Sequence, residues 1–486
     1  MPSSVISPPS FDLPAPSAQA TLRPRLWQQQ LIHLVRRRLI PNSQKGRDVL
    51  VHAGPGAGKT LGALFSFQAM QKEARLGKLL VFCHRTSIAL QWHQAAKRLG
   101  LDLQDWVHSA EQAPEQMQAE GWLVTYQGAG RQLESLAAEL DGWAGDDLLA
   151  IADEAHHLGV DPEEPEGPAW GKTFLDLTNR SRLRLGLTGT PFRADNLAFC
   201  AARKVRVETN GELMEQISPD LCVEPRDLIA AGDVRPLVFH FQDGWVEHSP
   251  EGQPDRDVSP LSAEQRESWR ARNLRRAIRL SGKGSIAGEV LKKARSQLTK
   301  LRSQHPEAAG LVITRDIDHA EEISRALESK GDRVDLVHSQ DSQASARLAG
   351  FQAGNADWLV SIDMCAEGFD APRLRVVAYL TTVVTRSRFL QGITRAVRIS
   401  AEQANAEAIP RQPSHVFAPA DPLLLGYARS WSWSEPYLIR SRVDENLSEE
   451  TAAGYRGASL PLEAVNDGAG AVIRLRTPEL PGFLQR

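Results

Sequence analysis

The residues of this chain best suited to chemistry are a glycine-rich loop that ends in lysine and threonine, and a pair of adjacent carboxylates much further along. The loop reads Ala53-Gly54-Pro55-Gly56-Ala57-Gly58-Lys59-Thr60; it follows an apolar run, Asp48–His52, and opens a helical stretch, Thr60–Gln71. Glycines let such a loop curl until several backbone N–H groups face one anion, and the helix N-terminus adds positive potential there. Lys59 then neutralises the outer phosphates of a bound nucleotide, and the Thr60 hydroxyl ligates a divalent cation. Ala53 stands where the strict pattern has glycine, a position that needs only a small residue.

The carboxylates are delivered by the apolar run Leu148-Leu149-Ala150-Ile151-Ala152, which leads into Asp153-Glu154-Ala155-His156. A strand that presents two acids at its C-terminal end suits metal-assisted hydrolysis. Asp153 can hold Mg²⁺ through its water shell, and Glu154 can orient and activate the attacking water. Taken alone, each feature has a plain reading, a chance glycine-rich turn or an exposed acidic loop end. Strand, loop and helix in this order, followed by the acidic pair, point to nucleoside triphosphate hydrolysis.

The elements that would position these groups follow a consistent alternation. Apolar runs at Asp48–His52, Lys78–Cys83, Gly121–Thr125, Leu148–Ala152 and Leu183–Thr188 are separated by helical or loop segments. The pattern returns at Gly310–Thr314, Arg333–His338, Trp358–Ile362 and Leu374–Leu380, with Ile317–Lys330 helical between the first two. Strands alternating with helices imply parallel sheets covered on both faces, so two α/β units are expected. Between them, Pro236–Trp245 reads as a strand, His248–Pro260 as a loop with three prolines, and Ser262–Leu301 as helical and basic. From Glu264 to Arg302 there are twelve Lys/Arg against three Glu, and Arg272, Arg275, Arg276 and Arg279 recur at helical spacing. This stretch is either a nucleic-acid-binding element or a solvated basic face. The acidic loop Asp161–Glu166 reads as a solvated turn, and residues beyond Glu449 as an irregular tail.

DEAH following a GKT loop resembles the superfamily 2 helicases of the DEAD/DEAH type, in particular the motor subunits of restriction enzymes of the type III restriction-subunit kind. Further segments match that family in order. Leu22-Arg23-Pro24 with Trp27-Gln28 resembles its adenine-contacting segment, with Arg25 and Leu26 as two extra residues. His84-Arg85-Thr86 through Leu90-Gln91-Trp92, and Val124-Thr125-Tyr126-Gln127, resemble its two strand-contacting motifs. Leu187-Thr188-Gly189-Thr190-Pro191-Phe192-Arg193 resembles the motif that couples hydrolysis to movement, and Leu311–Arg315 resembles the strand that opens the second lobe. Ser361 to Pro372, with Gly368 and Asp370 at the matching positions, resembles the motif linking ATP to nucleic acid. Gln391-Gly392-Ile393-Thr394-Arg395-Ala396-Val397-Arg398 resembles the arginine-finger motif, with Thr394 in place of the usual glycine and both arginines kept.

The resemblance spans about residues 22–420 and implies two RecA-like lobes with ATP and Mg²⁺ in the cleft between them. Lys59, Thr60, Asp153 and Glu154 would come from one lobe, with Gly54, Gly56, Gly58 and Gln28 around the nucleotide. Arg395 and Arg398 would come from the other, with Gly368 and Asp370 beside them. His156, Thr188, Thr190 and Gln391 would couple the site to movement; Arg85, Thr86, Thr125 and Gln127 would hold the tracked strand. The implied organisation is lobe 1 over 22–225, then lobe 2 over 226–420 with a basic helical insertion at about 260–305. A C-terminal extension fills 421–486. The implied activity is an ATP-dependent helicase or translocase acting on DNA. An RNA helicase, and a nucleic-acid-stimulated ATPase switch that does not unwind, are the other readings. No acidic-lysine or HNH-like nuclease motif is seen outside the helicase motifs, so any nuclease or methylase would be a separate partner.

Bulk properties agree with this. The chain has 486 residues, more than one core accommodates, and at 42% hydrophobic and 24% charged it is globular in composition. No apolar run approaches the roughly 20 residues of a membrane span. The first twenty residues are rich in Pro, Ser and Ala and contain no Lys or Arg, unlike a signal peptide. Residues 1–21 therefore read as a disordered arm, and a cytoplasmic location is expected, with no membrane partner. Cys83, Cys200, Cys222 and Cys365 lack metal-ligand spacing and read as reduced thiols. With a net charge of -3, any polyanion must be held by local basic patches.

Overall fold

The computed structural model of the protein describes residues 22–40, 46–84, 86–107, 118–143, 147–158, 167–189, 204–209, 212–248, 257–264, 266–280, 285–362, 369–432, 438–440 and 472–476. The proposed N-terminal arm, the Asp161–Glu166 turn, Arg85, Thr190, Gly368, Cys200 and Cys365 lie outside these residues.

Two parallel sheets organise the chain. The first has seven strands in the order β3 (Leu103–Asp105), β4 (Gly121–Thr125), β2 (Lys78–Cys83), β5 (Leu148–Ala152), β6 (Leu183–Thr188), β1 (Asp48–Ala53) and β9 (Leu221–Val223). Every neighbouring pair is parallel. The strands are buried on both faces, which is why they read as continuous apolar runs rather than as alternations. Helices α1 (Leu26–Arg38), α2 (Lys59–Lys72) and α3 (Thr86–Arg98) contribute to its core. Because β1 and β5 both flank β6, the C-terminal ends that carry the phosphate loop and the acidic pair open onto one side of the sheet, where ligands of such folds bind.

An antiparallel hairpin, β7 (Lys204–Thr209) and β8 (Glu212–Ile217), precedes β9. The second sheet has a parallel core of six strands: β10 (Leu237–His248), β16 (Ser414–Pro419), β15 (Leu374–Leu380), β12 (Ala309–Thr314), β14 (Trp358–Ile362) and β13 (Val334–Val337). The outer half of β10 pairs antiparallel with β11 (Asp257–Pro260), so part of the stretch read as a loop is strand.

The basic segment splits into two helices, Glu267–Ala277 and Ile286–Arg302. The second packs Ile286, Val290, Leu291, Ala294 and Leu298 into the core over this sheet, making it an integral layer of the lobe. On the first helix, Arg270, Asn273, Leu274 and Ala277 form the buried stripe. Arg270 donates to Asp421 Oδ2 at 3.0 Å, and both side chains are buried. Removing either partner of a buried pair strands the other's charge, at a cost of about 3–5 kcal/mol, so this arginine is architectural. Arg272 and Arg279 are exposed and Arg275 and Arg276 half-buried, with Arg279 beyond the last helical residue.

The C-terminal stretch joins both lobes. Helix Pro422–Ser430 is capped by Asp421, which accepts from the N–H groups of Leu423 and Leu424. Tyr427 and Trp431 pack near Phe389 and Phe239 of the second lobe. Further on, β17 (Leu438–Arg440) pairs with β8, and β18 (Val472–Arg476) pairs with β10. Of the tail expected to be mostly irregular, the described part is the strand β18, which pairs with the outer edge of β10. Among the described residues, no helix is long and apolar enough to cross a membrane.

Candidate active site

The phosphate loop leaves β1 at Ala53 and turns through two left-handed residues, Gly56 (φ +76°) and Gly58 (φ +80°), into the first turn of α2 at Lys59. A side chain at either glycine is strained. Space is short as well: a Cβ at Gly58 would lie 3.1 Å from Gln28 Nε2. The segment before and into α1 holds the outer face of the loop. Arg25 Nη1 donates to the carbonyls of Gly56 and Ala57, at 2.9 Å each. Trp27 Nε1 donates to Ala57 at 3.0 Å, and Gln28 Nε2 to Gly58 at 2.9 Å. Gln28 Oε1 accepts from the Arg25 backbone N–H at 2.8 Å. The Nε2 end of the Gln28 amide therefore braces the loop, while its Oε1 end caps the start of α1. Trp27, of the segment read as contacting adenine, and Arg25, read only as an extra residue there, also brace the loop.

The acidic pair sits where β5 ends. Asp153 is buried; its Oδ1 accepts the Glu154 N–H at 3.0 Å, its Oδ2 the indole N–H of Trp92 at 2.8 Å, and its backbone carbonyl the Tyr126 hydroxyl at 2.8 Å. Glu154 has φ +47°, a left-handed conformation that a non-glycine residue keeps only when its surroundings hold it there. Its carboxylate is ringed by donors. Lys59 Nζ lies 3.3 Å from Oε1, the Gly189 N–H donates to Oε2 at 3.3 Å, and His156 Nδ1 is 3.5 Å from Oε2. His156 Nδ1 also lies 3.1 Å from the Thr188 hydroxyl, which ties the acid motif to the end of β6.

These surroundings drive the two acids apart. Burial, and the neighbouring Glu154 charge, push the Asp153 carboxyl above the usual carboxylate range. Burial raises Glu154 too, but Lys59, His156, His157 and the Gly189 N–H together outweigh it and hold it well below that range. A low-lying Glu154 thus stands beside a raised Asp153.

In the second lobe Arg395 is buried and Arg398 partly exposed, and both approach the segment after β14. Their Nη1 atoms donate to the Phe369 carbonyl at 3.1 and 3.4 Å, and Arg398 Nη1 lies 3.0 Å from Asp370 Oδ1. Thr394 sits in a helical backbone (φ -76°, ψ -1°) with its hydroxyl donating to the Leu390 carbonyl at 2.5 Å, so this position does not need glycine.

The two halves meet at the phosphate loop. A Cβ on Gly56 would sit 3.0 Å from Val234, 3.3 Å from Val397 and 3.8 Å from Arg398 Cγ. Arg25 Nε pairs with Asp233 at 3.3 Å, and the Arg235 N–H donates to the Val397 carbonyl at 2.8 Å.

Lys59, Asp153, Glu154, His156 and Thr188 are thus assembled on one lobe and Asp370, Arg395 and Arg398 on the other. Thr60 is half-buried in the first turn of α2, and Gln391 is half-buried on its helix. Of the strand-contact candidates, Thr86 opens α3, and Gln127 is exposed. The Thr125 hydroxyl is used as a helix cap, accepting from the Gly128 N–H at 3.0 Å. Trp92 lies within the first strand-contacting motif, but its bond to Asp153 has no signal in local sequence.

The chain matches the family of type III restriction enzyme res subunits over residues 21–193 and the helicase conserved C-terminal domain over residues 292–400. In these two matches the chain resembles the superfamily 2 helicases, in particular the motor subunits of restriction enzymes. An uncharacterised protein of Mycobacterium leprae (strain TN) is 31% identical over 388 residues, 79% of this chain and 60% of that protein. The chain therefore spans about 60% of the length of that relative. Among solved structures, the chain is similar to a fragment described as the HsdR subunit of a type I restriction enzyme from Vibrio vulnificus YJ016. That match has TM-score 0.52 and 18% identity, and covers 85% of this chain and 67% of the other. It is also similar to the ATP-dependent type ISP restriction-modification enzyme LlaBIII bound to DNA, with TM-score 0.50, 14% identity and coverage of 81% and 27%. At these identities the likeness shows the fold, two RecA-like lobes.

The residues fit a nucleoside triphosphate with a divalent cation. Among the described residues, no group of three or more His, Cys, Asp or Glu is placed to hold a metal. The Thr60 hydroxyl in the first turn of α2 and the buried Asp153 carboxylate are oxygen donors of the kind a hard divalent cation takes.

Proposed function

We propose that the protein is an ATP-driven motor on nucleic acid that couples hydrolysis to translocation or strand separation, with DNA as its track in preference to RNA. The observation that carries this reading is the meeting of the arginine segment Val397-Arg398 with the phosphate loop at Gly56, beside the Lys59–Glu154 pair. The site is then complete only while the lobes are together, so each hydrolysis cycle can open and close them.

In this reading Lys59 exchanges Glu154 for the outer phosphates when ATP enters. Gln28 and Arg25 keep the loop shaped around the nucleotide, and the family's adenine contact is assigned to Gln28. Mg²⁺, held by Thr60 and through its waters by Asp153, would supply charge neutralisation at the phosphates. Glu154 orients the attacking water and accepts its proton, and Arg395 and Arg398 face the phosphoryl group from the other lobe. Gly368 and Asp370 are assigned to linking ATP to the track. His156, Thr188, Thr190 and Gln391 transmit the state of the site, and Arg85, Thr86, Thr125 and Gln127 hold the strand backbone, contacts that position without reading sequence. The preference for DNA is supported by the match to restriction-enzyme res subunits and by the likeness to an enzyme solved with DNA. A cytoplasmic site of action and a separate nuclease or methylase partner belong to the same reading.

The test is the ATPase rate without nucleic acid and with single-stranded DNA, duplex DNA and RNA, with Lys59→Ala as control. Stimulation by DNA and not RNA, lost in the control, is the expected result. Stimulation by RNA alone moves the protein to RNA remodelling, and none at all leaves an ATPase switch.

The arginines of helix Glu267–Ala277 and just beyond are assigned to the track as well. Reversing Arg272, Arg275, Arg276 and Arg279 to Glu should weaken DNA binding and flatten the plot of log affinity against log salt by about 0.9 for each phosphate no longer neutralised. Unchanged affinity and slope would leave the stretch a solvated face.

A further inference from the structure

Trp92 is fully buried on α3, two turns from the start of that helix, and its indole N–H points out of the hydrophobic core onto Asp153 Oδ2 at 2.8 Å. We propose that Trp92 is the positioning residue for the metal-holding carboxylate, fixing the plane of Asp153 so that its remaining lone pairs face the cation's water shell. The proposal rests on the Mg²⁺-dependent nucleotide site argued above.

Four hydrogen bonds fix Asp153: its backbone N–H donates to the Phe82 carbonyl, its backbone carbonyl accepts from Tyr126, Oδ1 from the Glu154 N–H, and Oδ2 from Trp92. A carboxylate has about four lone-pair positions over its two oxygens, so two donors leave about two for water on the metal. The chemistry of the third donor matters. A lysine or arginine at this place would neutralise the charge the cation needs and compete with it. An indole supplies one N–H, carries no charge at any working pH, and sits on a rigid side chain with two torsions. It therefore orients the carboxylate without using up its charge.

Burial sharpens the point. In this water-excluded pocket an unpartnered carboxylate oxygen is costly, so without the indole the group would rotate towards another donor and lose its aim. Partners one step removed from a metal, acting through its ligands, typically change metal affinity by about 10–100-fold. α3 opens with the strand-contacting segment, so the same indole joins the helix behind that segment to the metal ligand.

The test separates the N–H from the ring. Affinity for a fluorescent non-hydrolysable ATP analogue is measured on the full chain, in EDTA and across a Mg²⁺ titration, for wild type and Trp92→Phe. In parallel, 3-benzothienylalanine is incorporated at position 92, which keeps the shape of the indole and has sulfur in place of the N–H. Thermal unfolding and circular dichroism report the fold. The expected result is metal-free affinity within about twofold of wild type, with the Mg²⁺ concentration for half-maximal tightening raised about 10–100-fold in both variants. If Phe is too small for the core and the protein unfolds, the benzothienyl variant decides. A titration from that variant that overlays wild type overturns the proposal and leaves Trp92 a packing residue. If wild type itself binds the analogue equally with and without Mg²⁺, the metal-site reading fails first, and this proposal with it.

Discussion

Glu154→Gln is expected to bind ATP at least as tightly as wild type and to hydrolyse it about 10²–10⁴ times more slowly, the usual contribution of a positioned general base. The substitution keeps the shape of the side chain and removes its charge. In the free protein that charge holds Lys59 Nζ at 3.3 Å, so binding ATP means exchanging one anionic partner of the lysine for another. With glutamine the first partner is gone and the lysine is free for phosphate. The chemical step suffers for the opposite reason. Lys59, His156, His157 and the Gly189 N–H keep Glu154 ionised against its burial, and an amide cannot accept the proton of the attacking water. Equilibrium binding and single-turnover hydrolysis on the same preparation separate the two effects. Hydrolysis by Glu154→Gln at the wild-type rate would remove Glu154 from the mechanism.

Arg398→Ala is the second large effect. An arginine facing the phosphoryl group contributes about 10³–10⁵ in rate in enzymes of this kind, and a loss in that range is expected with ATP binding retained. The two arginines of the motif are not equivalent. Arg395 is buried and donates to the Phe369 carbonyl at 3.1 Å, so less of it is open to a ligand. Arg398 is partly exposed, paired with Asp370 at 3.0 Å, and its stem lies against the phosphate loop. A change of partner from Asp370 to phosphate therefore carries Arg398 into the site; its bond to the Phe369 carbonyl is longer, at 3.4 Å, than the 3.1 Å bond of the buried Arg395. Steady-state ATPase at saturating ATP, with and without DNA, is the measurement. An undiminished rate in Arg398→Ala would remove Arg398 from the chemical step.

Much of the architecture is legible in the sequence. Gly121–Thr125, Leu148–Ala152, Leu183–Thr188, Trp358–Ile362 and Leu374–Leu380 are strands with the bounds expected from their apolar runs. Strands buried on both faces leave an unbroken signal that needs no knowledge of neighbours. The site motifs are legible for a related reason. A phosphate loop needs a strand, glycines and a helix start in immediate succession, so its chemistry is local. Short or polar strands are not legible. β16 carries Ser414 and His415 and ends in a proline, and β18 forms against the outer part of β10, a partner more than two hundred positions away in the chain.

What the sequence by itself determined is the candidate reacting groups and the two parallel sheets that carry them, because hydrophobic periodicity and loop chemistry act over a few residues. Tertiary structure alone decided which charges work and which merely hold the fold together. The twelve basic residues of the middle segment look alike in sequence, yet Arg270 is buried on Asp421, 151 residues away, while Arg272 and Arg279 are exposed. It also decided that Trp92 aims at Asp153 across 61 residues, and that Gln28 and Arg25 brace the phosphate loop. The physical reason is common to all of these. The role of a polar side chain is set by the partner that satisfies it once water is excluded, and that partner is chosen by packing between elements far apart in the chain.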